Sequence, residues 1–371
     1  MAVMRLVHLW RSPRARAVLI VLAGLSCSDP VAPVCTERVS GRCWTYLGLD
    51  GEWVTAIADT PWGLFAATRG DYAGHGVFRY DPASGEWRSL GLDHAVVSSI
   101  VFVPTDPPRL LVGVFTNGEV PTEAALFASF DAGRTWLPWD GGLAARRGGY
   151  AGAFSLAVDR TNPDRLLMGL SYPVLRSEDA GRTWSYVYKT EGSSGAGVSA
   201  IVQSPMDPER VWAGGQTAFF TPFVLRSHDF GTNWRWFDPT PRVENVVNAI
   251  LANPEGAQAV LIGMNGGVFR SDDDGVTWRL SLAPRSPGVV FAFAATEGQS
   301  YAVSSENFRP PPSYMGPPDT DLGVYQTRDA GATWDSLPVP TGVRGGQAAA
   351  IDGQGRLLIG TWGSGVWRMS P

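Results

Sequence analysis

Residues 129–136 read SFDAGRTW, and the form Ser/Thr-x-Asp-x-Gly-x-Thr/Asn-Trp returns as SEDAGRTW (177–184), SHDFGTNW (227–234), SDDDGVTW (271–278) and TRDAGATW (327–334). A lengthened relative, YDPASGEW, occupies 80–87. Each copy has the chemistry of a tight hairpin: an Asp that accepts hydrogen bonds from turn amides, a Gly free to take positive φ, and hydroxyls that add local bonds. Asp131, Asp179, Asp229, Asp273 and Asp329 therefore read as turn-formers, since five similar copies do not converge on one active centre. The acidic run Asp272-Asp273-Asp274 falls inside the same hairpin and reads as turn rather than as a calcium site.

Outward from each copy, a short apolar run precedes it, as in ALFAS (125–129), FVLRS (223–227) and GVFRS (267–271). Upstream lies a second set, including RLLVGVF (109–115), RLLMGLS (165–171) and RLLIGTW (356–362), then Pro/Asp/Gly turns and first runs such as FSLAVD and SAIVQSP. Short apolar runs bounded by turn residues are strands, so one repeat is a four-stranded meander. The five close copies lie 44 to 56 residues apart, which is a period of propeller blades. Fourth strands are marked by Trp44, Trp87, Trp136, Trp184, Trp234, Trp278 and Trp334, a count of seven. The last repeat stops at GVWRM (365–369) without a fourth strand, while CWTYLGL (43–49) opens the domain as an orphan one. The expectation is an all-β, seven-bladed β-propeller of four-stranded blades over residues 43–371. Pairing its N- and C-terminal strands closes the ring and leaves no free sheet edge.

Composition agrees with this, since 44 Gly, 28 Pro and 15 Trp among 18% charged residues favour tight turns over amphipathic helices. The formal charge of −5 becomes −9 without residues 1–26, which carry Arg5, Arg11, Arg14 and Arg16 and no acid. A chain this acidic is not a nucleic-acid binder by bulk electrostatics. His75, His94 and His228 show no ligand-like pairing, and neither Gly-x-Ser-x-Gly nor a phosphate loop occurs, so no metal and no cofactor is implied.

At the N-terminus a basic region ends at Arg16, Ala17 to Leu25 is apolar, and Ser26-Cys27 follows. Nine apolar residues are too few for a permanent membrane span, so 1–26 reads as a secretory signal peptide. Its end, LAGLSC, resembles the lipobox of bacterial lipoproteins, which implies lipidation at Cys27; the alternative is an ordinary signal cleaved near Ser26. The expected protein is an exported monomer, periplasmic or anchored in the outer membrane, otherwise secreted, touching membrane only through that lipid. Residues 27–42 read as a tether, and Cys35 and Cys43 either close a small disulfide loop in an oxidising compartment or remain two thiols.

On these octapeptides and strands, residues 43–370 resemble the Asp-box (BNR) propellers, a group that includes sialidases, xyloglucan-cleaving glycosidases, sortilin receptors and the photosystem II stability/assembly factor. The resemblance implies that the octapeptide hairpins take one face and that ligands meet the other, where second-to-third and fourth-to-first connections lie. Arg146, Arg147 and Tyr150 sit in one such connection, Phe219 and Phe220 in another, and Phe308, Arg309 and Tyr314 in the insertion 305–322. Arginines and aromatics suit recognition surfaces, through planar charge and large contact area. Phe219 and Phe220 serve equally well as plugs of the channel mouth.

A sialidase needs three arginines, a Tyr with a Glu partner and an acid, and Arg242, Arg344, Glu244 and Glu306 are further candidates. The Phe-Arg-Ile-Pro element that opens the sialidase pattern is absent from the start of the propeller, and FRPP (308–311) lies in the wrong repeat. LFAATRGDYAGHGVFRYDPASGEW (64–87) is similar to the opening repeat of the xyloglucanases, with Asp71 as the matching carboxylate. Glycoside hydrolysis uses two acids roughly 5–10 Å apart, and one here has motif support. The sequence thus reads as a non-catalytic extracytoplasmic binding or assembly propeller that presents its loop-bearing face to a protein or glycan partner. The alternative is a glycoside hydrolase of xyloglucanase or sialidase type.

Overall fold

The computed structural model describes residues 35–70, 74–115, 124–143, 152–171, 173–189, 197–217, 221–239, 246–286, 288–309 and 319–370. They form antiparallel meanders in a β-propeller. A representative blade runs Val96–Val103, Arg109–Phe115, Leu126–Ser129 and Leu137–Pro138, each strand bonded to the next. Second strands are apolar on both faces, as in Leu110–Val114 and Leu166–Leu170, because each sheet is covered by a neighbour on either side. The core is accordingly divided into slabs between neighbouring sheets. Leu111 and Val103 of one blade pack with Leu156 and Met168 of the next, and Leu261 and Val268 pack with Val290 and Ala302.

The expectation of seven blades is corrected by the strand pairing. Five four-stranded sheets stand as blades, over 96–138, 153–189, 197–237, 249–282 and 289–337. The strands expected to make a separate first and last blade instead form one seven-stranded joint sheet. The physical reason is continuity of two strands. Arg42–Thr60 pairs first with Leu357–Ser370 and then, without a turn, with Gly63–Arg69; bulges between Tyr46 and Gly48 and between Asp50 and Trp53 absorb the bend. Leu357–Ser370 likewise continues through Gly363 and Gly365, both at positive φ, where a separate second and third strand were expected. The joint sheet folds over on itself around Leu47, Val54, Leu358 and Val366. Cys43 lies opposite Ser370, so strands from the two ends of the sequence are bonded neighbours. Cys35 and Cys43, with Cα atoms 5.4 Å apart, are joined by a disulfide ahead of that pairing.

The octapeptides are built alike. In the first, the Ser129 hydroxyl donates to Asp131 Oδ1 at 2.8 Å and accepts from the Gly133 amide at 2.7 Å. Asp131 also accepts from the Thr135 amide and hydroxyl at 2.9 and 2.7 Å. Asp179, Asp229, Asp273 and Asp329 repeat the set, with Asn233 standing in for threonine beside Asp229. Two successive residues take positive φ, Ala132 at 59° and Gly133 at 85°, so the turn asks a left-handed conformation of a non-glycine as well. In two copies the tryptophan ties the hairpin to the sheet before it, Trp136 Nε1 donating to Leu90 O at 2.9 Å and Trp334 Nε1 to the Ser281 hydroxyl at 2.8 Å, whereas Trp184 and Trp278 donate to Gly181 O and Gly275 O within their own hairpins.

Arginines add a second tie, in the opposite direction. The guanidinium of Arg176 donates to Asp229 O and that of Arg270 to Asp329 O and Ala330 O, in each case on the hairpin of the following sheet. Arg226 does the same to Asp274 O.

Candidate functional site on the loop-bearing face

Alternate turns of a meander fall at alternate ends, so second-to-third and fourth-to-first connections leave the sheets opposite the octapeptides. Near that end the first strands stand side by side and are stitched by small polar side chains. A bulge leaves Thr55, Ser98 and Ser199 out of the ladder. Thr55 Oγ1 donates to Val97 O at 2.6 Å, Ser98 Oγ to Ala153 O, and Ser199 Oγ to Val247 O at 2.6 Å. Ser155 reaches Val198 O at 2.9 Å and Asn248 reaches Val290 O at 3.3 Å.

In the blade over 289–337 the bulged position holds Phe291, which cannot make that bond. An aromatic row starts there. Phe291 and Phe308 have ring centroids 6.4 Å apart, Phe291 and Trp362 5.9 Å, and Trp362 and Trp53 5.4 Å. The Arg69 guanidinium lies 4.9 Å from the Trp53 ring centroid, a cation–π distance. Register explains the grouping, because Trp53 faces Arg69 on one side and Trp362 on the other. Both tryptophans are buried and the two phenylalanines half-buried, so the row opens to solvent at its Phe291–Phe308 end.

Four of the described acids at this end hold partners. Glu52 is 2.7 Å from His75 Nδ1, and Asp321 accepts from Asn307 at 2.7 Å. Asp140 is buried and accepts from the Ala125 and Gly142 amides. Glu306, also buried, accepts from the Tyr325 hydroxyl and from the Arg285 amide at 3.5 Å, with Arg285 Nε 3.7 Å away. Burial, then the hydrogen bond and charge of Glu306, push the Tyr325 pKa up, so that phenol stays protonated and is no nucleophile. Among the described residues no group of three or more His, Cys, Asp or Glu is gathered around a metal position.

Of the residues singled out in the sequence, Phe308 is in the row. Arg309 ends the strand Gln299–Arg309, its backbone opposite Asp319. Asp71, Arg146, Arg147, Tyr150, Phe219, Phe220, Arg242, Glu244, Tyr314 and Cys27 lie outside the described residues. Trp53, Arg69, Phe291 and Trp362 were not singled out. The available signal was aromatic residues at loop-side strand ends, in the runs EWVTA and IGTW.

No protein-family model matches the chain. The sequence relatives are xyloglucanases. Xyloglucanase Xgh74A of Acetivibrio thermocellus is 25% identical over 311 residues, covering 71% of this chain and 35% of the relative. The chain therefore spans about a third of that relative's length. Among solved structures, YCF48 bound to D1 peptide superposes with a TM-score of 0.61 at 14% identity, covering 90% of this chain and 98% of that one. An ancestral GH74 enzyme gives 0.54 at 16% identity, covering 86% of this chain and 36% of that one. These structural likenesses bear on the fold. The glycoside-hydrolase-like relation rests on the sequence relatives.

Proposed function

We propose that this chain is a non-catalytic propeller of the Asp-box kind, exported and held to a membrane through Cys27, that binds a glycan on its loop-bearing face. The observation that carries the reading is the aromatic row from Trp53 through Trp362 and Phe291 to Phe308, with Arg69 against it. Flat rings meet the C–H faces of sugars with large contact area, and an arginine adds directional donors. The xyloglucanase relatives favour a β-linked glucan over a protein partner. Hydrolysis would need two carboxyls poised across a bond. Glu52, Glu306 and Asp321 are instead committed to side-chain or backbone partners.

Xyloglucan oligosaccharide titrated into the full chain tests this. Binding should weaken at least tenfold in the Phe291→Ala, Phe308→Ala double variant with little change in thermal midpoint, while Asp71→Asn binds as the parent does. A second reading, a glycosidase working through Asp71, rests on the xyloglucanase relatives. Release of reducing sugar that disappears in Asp71→Asn would establish it and overturn the binding reading.

A further inference from the structure

On the opposite face, beside the octapeptide hairpins, a cavity of about 470 Å³ opens between the two halves of the joint sheet. Its lining includes Arg79, Arg356 and Arg368 together with Trp62 and Tyr80. Arg368 occupies the place in its strand that Arg176, Arg226 and Arg270 occupy in theirs, one residue before the end of an apolar third run. Those three each donate to carbonyls of the following hairpin. The hairpin following Arg368 is the variant turn after Asp81, where the Asp81 carbonyl accepts from the Gly85 amide at 2.8 Å within its own turn. Arg368 is 8% exposed; its buried Nε has no hydrogen-bond partner, as is true of Arg176 and Arg226, so what sets it apart is the hairpin carbonyl those two reach.

Of the two acids of the cavity, Asp352 offsets part of the charge of Arg368, but both acids already hold other partners. Asp352 accepts from Arg356 Nε at 2.7 Å and from the Gln354 and Arg356 amides. Asp59 accepts from the Gly353 amide at 2.7 Å. Three guanidiniums thus face two carboxylates that are already bonded. An unpaired buried cation is costly to the fold unless something else compensates it.

We propose that this cavity is a binding site for a small organic oxyanion, a carboxylate or phosphate monoester whose anionic head meets Arg368 and Arg79 and whose apolar body lies against Trp62 and Tyr80. The pKa of Arg368 is lowered first by burial and then by the charge of Arg356, with Asp352 and Tyr80 opposing, so its charge is only partly compensated there. Nothing in this site depends on the glycan face.

Calorimetric titration of the full chain with benzoate, phenyl phosphate and inorganic phosphate provides the test. One of the two phenyl compounds should bind at a single site at least tenfold tighter than inorganic phosphate, which identifies the preferred head. Arg368→Met should abolish that binding and leave the ligand-free thermal midpoint equal or higher, because a buried unpaired charge is removed. Gln354→Trp, on the exposed rim, should block binding with Arg368 in place and covers the case in which Arg368→Met does not fold. Binding of none of the three, binding of inorganic phosphate alone, or unchanged binding in the variants would overturn the proposal. So would a fall in midpoint for Arg368→Met, the mark of a structural tie like that of Arg270.

Discussion

Each octapeptide carboxylate is a hub on which several donors converge, and that makes it a weak base. Asp273 is lowered from 3.8 to about 2 by the hydroxyl and amide of Thr277. At Asp329 burial pushes upward, but the hydroxyl and amide of Thr333, the Thr327 hydroxyl and the Ala332 amide outweigh it and bring the value to about 2. Asp131, Asp179 and Asp229 are lowered by the same kind of donors acting against burial. A carboxyl whose pKa falls on folding favours the folded state above its unfolded value of 3.8 and loses that contribution as pH drops through about 2. The thermal midpoint should therefore fall between about pH 4 and pH 2 more steeply than in the Asp273→Asn, Asp329→Asn double variant. Parallel curves for the two proteins would show that these bonds do not hold the hairpins.

Strands meet across sheets at places where a side chain is forbidden. A Cβ built on Gly169 would stand 2.5 Å from the Ser155 hydroxyl and 2.6 Å from Val198 O of the neighbouring sheet. Since the second contact is backbone, Gly169→Ala should cost roughly 1–3 kcal/mol, as overpacking does, read as a lower urea midpoint with an unchanged slope. The repeat was legible because turn chemistry is local: Ser, Asp, Gly and Trp at fixed offsets meet one another within a single hairpin. Gly169 in RLLMGLS was legible as part of a strand, but what its missing side chain admits belongs to another repeat. The number of separate blades was not legible for a related reason. Counting tryptophans treats Trp44 and Trp87 as marking separate sheets, whereas sheet continuity is decided by whether Arg42–Thr60 turns or runs on, and the bulges between Tyr46 and Gly48 and between Asp50 and Trp53 let it run. The aromatic row escaped notice because Trp53, Phe291 and Trp362 come from distant stretches and meet only through register.

For the molecule as a whole, the joint sheet makes residues 42 and 370 near neighbours. Cutting the chain between Phe115 and Ala124 and joining residue 370 to residue 35 through a short flexible linker should give a folded permutant, because termini that are already adjacent lose little on being connected. Circular dichroism should match the parent, with a single cooperative melt within a few degrees of it. A permutant that stays unfolded would mean that continuity through the 116–123 connection, not the clasp of the joint sheet, holds the structure.

The same clasp sets an order of events in time. Arg42–Thr60 leaves the ribosome early yet finds one of its two partners only when Leu357–Ser370 has followed, so its outer edge waits unpaired while the intervening sheets assemble. Contacts of such long sequence separation form slowly. The five four-stranded sheets pair only strands consecutive in sequence, so they can assemble as the chain lengthens, and the joint sheet is the last part of the molecule to be completed.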